Sequence, residues 1–204
     1  MKHVRMLLTA AAVVALAAST LPADNSFYRV LGSKPNATIA DAMRAFFILA
    51  LDADPKGLTV AEQAQALADM KVMRKEWADK PDEKLTRGRA SYMICQVCGI
   101  KGGVTMLLIG PTERYCYREC VYLGMIAAGN QDAYVSGSEL LGILAKAAEY
   151  IDGHKDRKVK PQGSAAAAVE KAKKTEGEAA PAAKPAETPK DSKPAEKPAA
   201  TEKK

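Results

Sequence analysis

The chain has 204 residues and a formal net charge of +6, but the surplus sits at its ends. Residues 155–204 carry thirteen Lys or Arg against eight Asp or Glu, residues 1–19 carry two Lys or Arg and no acid, and residues 20–154 carry fifteen against sixteen. A near-neutral middle argues against a basic groove for nucleic acid, and the two histidines are His3, before it, and His154, at its last position beside the tail, which removes His-based triads and His metal clusters from consideration in the core.

Taken from the start, Lys2 and Arg5 precede an apolar run, Leu7 to Ala18, that ends in small residues. That run is shorter than the ~20 residues a membrane span needs, so residues 1–23 read as a cleaved signal peptide. Leu16-Ala17-Ala18-Ser19 resembles a lipobox with Ser19 in the place of the lipid-bearing cysteine, so no lipid anchor follows. The expectation is an exported protein of the periplasm or bacterial cell envelope, without stable membrane insertion after cleavage.

Residues 24–154 read as an all-α domain of about five helices. Phe27, Tyr28, Val30 and Leu31 form an apolar lead-in. Thr38 caps a first helix carrying Ile39, Met43, Phe46, Phe47 and Ala50 at helical spacing. Thr59 and Glu62 form a capping box for a second, which buries Ala64, Leu67 and Met70. The charged stretch after it holds the single tryptophan, Trp77, as a lid on the core edge or a ligand-stacking residue. Thr86 opens a third helix, Thr112 a fourth and Ser136 a fifth, the last with a wide apolar stripe from Leu140 to Ile151. Between the third and fourth, Val104 to Ile109 is a continuous apolar run that reads as a buried connector or a lone strand. From residue 155 the Ala, Pro, Lys and Glu content predicts a disordered tail, with transient helix over 164–176, because it cannot bury enough apolar surface to offset ordering entropy.

Set in register on Thr38, Thr86 and Ser136, three helices recur at a spacing of 48 and 50 residues, with Phe46, Ile94 and Leu144 coincident and Ala50, Cys98 and Ala148 likewise. Upstream, Met70-Lys71-Val72-Met73 matches Leu123-Gly124-Met125-Ile126. A period in this range suggests duplicated helix-loop-helix units. With Leu123 to Ile126 before Ser136-Gly137-Ser138-Glu139, and Leu85-Thr86-Arg87-Gly88-Arg89-Ala90 as a second copy of the motif, residues 38–151 resemble degenerate S-layer homology repeats. The resemblance implies three long central helices and a groove binding anionic cell-wall polysaccharide or a peptidoglycan-linked polymer through the motif's arginine. Arg87 alone keeps that place; Ile39 and Gly137 stand there in the other copies, and Arg89 replaces the motif's acid. The candidate binding residues are therefore Thr86, Arg87 and Arg89.

All four cysteines lie between 85 and 126. Cys95 with Cys98, and Cys116 with Cys120, each share a helix face. In an oxidising compartment two disulfides between these helices are expected, and antiparallel packing would pair Cys95 with Cys120 and Cys98 with Cys116. The alternatives are a four-thiolate site for zinc or copper, or free or redox-active thiols. The sequence thus predicts a non-enzymatic envelope module, without a cofactor, contacting a cell-wall polymer or an envelope protein; the alternative is a periplasmic metal-binding protein using the four cysteines.

Overall fold

A computed structural model of the chain describes residues 25–161 and 163–178; the expected signal peptide, and residues 179–204 of the expected tail, lie outside them. Among the described residues the regular structure is helical: α1 (Ser26–Ser33), α2 (Ile39–Leu51), α3 (Val60–Asp69), a 3-10 turn (Lys75–Trp77), α4 (Arg87–Val97), α5 (Val104–Ile109), α6 (Glu113–Tyr122), α7 (Gly137–Gly153) and α8 (Ser164–Glu178). The all-α expectation holds.

Each expected capping hydroxyl acts as one. Thr38 Oγ1 accepts from Asp41 N, and the Asp41 carboxylate accepts from Thr38 N at 3.0 Å while Lys34 Nζ holds it at 2.7 Å. Thr59 and Glu62 repeat the reciprocal arrangement on α3, and Thr86, Thr112 and Ser136 accept from the third amide of α4, α6 and α7. These bonds satisfy donors that a helix start otherwise leaves open. The ends of α3 and α6 match as well. Lys71 and Gly124 are left-handed, at φ +61° and +71°, and the next amides, Val72 and Met125, bond back to Leu67 O and Cys120 O at 2.8 and 2.9 Å. That is a Schellman-type stop.

Three shorter helices pack on three longer ones: α1 on α7, α3 on α2, and α6 on α4, with α2 also touching α4 and α7. Phe46, Phe47, Met43, Met93, Ile94 and Leu140 fill the middle, each no more than 1 % exposed. At one end the segments entering α2, α4 and α7 join in a ring of backbone hydrogen bonds. Ala37 N donates to Val135 O (2.8 Å), Val135 N to Leu85 O (2.9 Å) and Leu85 N to Ala37 O (2.8 Å). The three side chains are fully buried. The first amide of each long helix donates to a neighbouring segment: Ile39 N to Glu83 O, Arg87 N to Ala133 O and Gly137 N to Lys34 O. Ring and caps together leave these buried helix starts paired.

Three segments differ from the sequence expectation. The lead-in around Phe27 is the helix α1, which reaches α7 because Gly137 carries no side chain; a Cβ there would stand 1.7 Å from Leu31 O. Val104–Ile109 is neither strand nor buried connector. It is a six-residue helix in which Met106 is buried and Val104, Leu107, Leu108 and Ile109 are exposed. Ser164–Glu178, expected as tail, is a helix packed on α3, burying Ala165, Ala168 and Ala172. Alanines spaced three and four apart let two helix backbones approach closely, so a helix with Val169 as its one large aliphatic can still dock.

Candidate functional site

Thr86, Arg87 and Arg89 stand at the start of α4, on the rim of the ring. Thr86 faces Tyr134 across a single antiparallel bridge and spends its hydroxyl on Arg89 N. The two arginines diverge, as residues two apart on a helix must. Arg87 turns toward α7, where its Nε donates to Glu139 Oε1 at 2.9 Å, and Nη1 lies so close to Gly129 that an added Cβ there would be 2.7 Å away. The Arg87 side chain is 20 % exposed and that of Glu139 26 %. Arg89 turns the other way. Its Nη1 lies 3.0 Å from the Glu83 carboxylate, off the N–H axis, so the contact is an ion pair without a directed hydrogen bond. Its guanidinium also sits 5.7 Å from the Trp77 ring centre. The Arg89 guanidinium holds the Glu83 carboxyl below its ordinary pKa. Trp77 itself is 4 % exposed and meets Tyr92 edge-on at 5.4 Å, with Arg74 5.4 Å from the centre of the Tyr92 ring. It closes the core edge and offers no free face for stacking a ligand.

The site is therefore two separate cationic positions, each already paired with an acid, and not one clamp. An anion at Arg87 meets the guanidinium edge left over by Glu139, or displaces that carboxylate. Glu139, Gly129 and Glu83 were not singled out from the sequence as partners of these arginines. The signal available was the register itself, which places Glu139 at the acidic position of the third motif copy.

The cysteines lie in the seam between α4 and α6, each 2 % exposed or less. All four are thiols, and none stands at bonding distance from another. Cys95 and Cys120 approach to 3.8 Å between sulfurs, and Cys95 Sγ is 3.8 Å from Cys116 O. Cys98 turns to α7, its Sγ 3.9 Å from Ala147 O. One expected pair, Cys95 with Cys120, is thus brought together, while Cys98 is directed away from Cys116. The neighbouring thiols of Cys116 and Cys120, with burial, push the Cys95 pKa far up, and burial pushes Cys98 up to about 12. Such thiols stay protonated at neutral pH and are poor nucleophiles. Among the described residues no three His, Cys, Asp or Glu side chains are arranged to hold a metal ion, so the four-thiolate site for zinc or copper is not assembled.

Comparison with family models, with curated proteins and with solved structures returns no match. The functional reading accordingly rests on the geometry of the ring, the paired arginines and the thiol seam. Among the described residues no helix is long and apolar enough to cross a membrane.

Proposed function

We propose that this chain is an exported, non-enzymatic module of the bacterial cell envelope that binds a cell-wall polymer, or an envelope protein presenting similar anionic groups, at the start of α4. It is built of three degenerate helix-loop-helix repeats similar to S-layer homology repeats. The observation that carries the reading is the ring in which Ala37, Val135 and Leu85 exchange backbone hydrogen bonds, together with the packing of α1, α3 and α6 on α7, α2 and α4. A threefold arrangement of equivalent helix starts is what three copies of one unit produce. Arg87 is the one motif arginine at this end, and anionic polymer is recognised there by its guanidinium in competition with Glu139. In an oxidising compartment Cys95 and Cys120 form the staple: each thiol loses its proton, one S–S bond forms, and two electrons pass to a disulfide oxidant, which is reduced to a dithiol.

Co-sedimentation of the full chain with purified sacculi tests the binding. The wild type is expected to pellet and Arg87→Ala to lose about tenfold in affinity; a wild type that stays in the supernatant, or an unaffected variant, contradicts it. Intact mass of the exported protein tests the staple. One disulfide removes about 2 Da relative to four thiols, and two remove about 4 Da.

A further inference from the structure

The helix α5 holds four of its six side chains in solvent: Val104, Leu107, Leu108 and Ile109 are 72, 76, 80 and 62 % exposed. Its position is set from both sides. Gly102 and Gly110 take left-handed φ values of +63° and +90°, and Glu119 of α6 accepts from Gly103 N at 3.0 Å. Glu119 thereby places the start of α5 on the flank of α6, next to Tyr122, which follows it by three residues and is 85 % exposed. Arg118 and Arg114 lie one and two turns before Tyr122 on the same helix row, and Lys101 stands three residues before the first residue of α5; all three are exposed. Among the described residues none of these three cations forms an ion pair.

We propose that α5, with Tyr122 and the cations Lys101, Arg114 and Arg118 beside it, is a membrane-surface anchor that seats its aliphatic side chains in the headgroup–acyl boundary of a bilayer carrying anionic lipid. Clustered exposed aliphatics mark an interaction surface, and the surroundings select the partner. At roughly 100 Å² per aliphatic side chain, four offer about half of the ~800 Å² that each side of a stable protein interface buries, so a second copy of this chain is poorly served. Residues 179–204 contain no aliphatic larger than alanine and no aromatic, apart from proline rings, and have nothing to fill the patch. A bilayer needs no shaped complement. It takes short aliphatics at shallow depth, a tyrosine at the headgroup level and unpaired cations against anionic lipid. The contact lies on the surface, since α5 is about 9 Å long. It draws on none of the residues at the Arg87 end.

The test uses the full chain carrying Leu108→Trp, with Val60→Trp on α3 as control, and vesicles whose lipid tails are brominated. Trp77 is buried and contributes equally to both. Because the probe reads its own surroundings, partition of the apolar run at residues 7–18 does not mimic the result. Vesicles of phosphatidylglycerol and phosphatidylcholine are expected to quench Leu108→Trp and to leave Val60→Trp little changed. Adding Arg114→Gln and Arg118→Gln is expected to weaken vesicle binding about tenfold or more. Equal quenching at the two positions overturns the proposal. So does a dimer in vesicle-free sedimentation equilibrium that Leu107→Ser with Leu108→Ser disperses, since the patch would then be an interface between copies.

Discussion

Gly137 shows how one absent side chain decides where a helix can go. As the first residue of α7 it stands against the Leu31 carbonyl, and an added Cβ would lie 1.7 Å from that oxygen. Gly142, in the middle of the same helix, has nothing within 4 Å of an added Cβ. The pair makes an internal control. Gly137→Ala is expected to cost about 3 kcal/mol in urea unfolding because backbone must move, whereas Gly142→Ala is expected to gain about 0.5–1 kcal/mol from helix propensity. Equal effects at the two sites would contradict the close approach of α1 to α7. The thiols provide a second residue-level expectation. Buried and held protonated, Cys95 and Cys98 of the reduced chain should resist alkylation at neutral pH while it is folded and react once denaturant opens the seam between α4 and α6. Rapid native-state labelling, followed by mass spectrometry, would contradict that burial.

At the scale of elements, what was legible in the sequence is what local chemistry encodes. Thr38, Thr59, Thr86, Thr112 and Ser136 each announce a helix start because a hydroxyl before an apolar period has one job that pays at short range. The segments that escaped reading are those settled by distant partners. For α1 the deciding feature is a glycine more than a hundred residues away. For α5 the apolar content implied burial, yet Gly102, Gly110 and Glu119 hold it outside. Composition argued against an ordered α8, and its docking depends on an alanine stripe and on polar contacts to α3. Those contacts are Ser164 with Asp69 and Lys171 with Glu62, the latter at 2.6 Å. The α8 contact should be pH-dependent. Hydrogen bonding from Lys171, with the Thr59 cap, lowers the Glu62 pKa from 4.5 to about 2. A depressed folded-state value means the contribution is fully present above pH about 4.5 and is lost as the pH falls through about 2. Carboxyl NMR titration should find the Glu62 midpoint near 2 and find it raised in Lys171→Ala; a midpoint at the ordinary value would show that α8 does not engage α3 in this way.

For the whole molecule, the helices set in register on Thr38, Thr86 and Ser136 are the three whose entering segments meet in the ring. The side chains could not reveal the ring, because Ala37, Leu85 and Val135 contribute backbone groups and share only apolar character. The candidate site was legible as far as residue type. Arg87 and Arg89 were found at the expected helix start, but their acidic partners come from segments whose approach depends on that ring. The same long-range closure separates two faces with different chemistry: paired arginines at the helix starts, and unpaired cations around exposed aliphatics at α5. The measurement that bears most directly on the account is an amide NMR titration of the full chain with a soluble anionic wall polymer, repeated on Glu139→Gln. Shifts are expected to concentrate at Thr86, Arg87, Gly129 and Glu139, and binding to tighten when Glu139 no longer competes for the Arg87 guanidinium. Shifts confined to other surfaces, or weaker binding by Glu139→Gln with its fold intact, would contradict recognition at the start of α4.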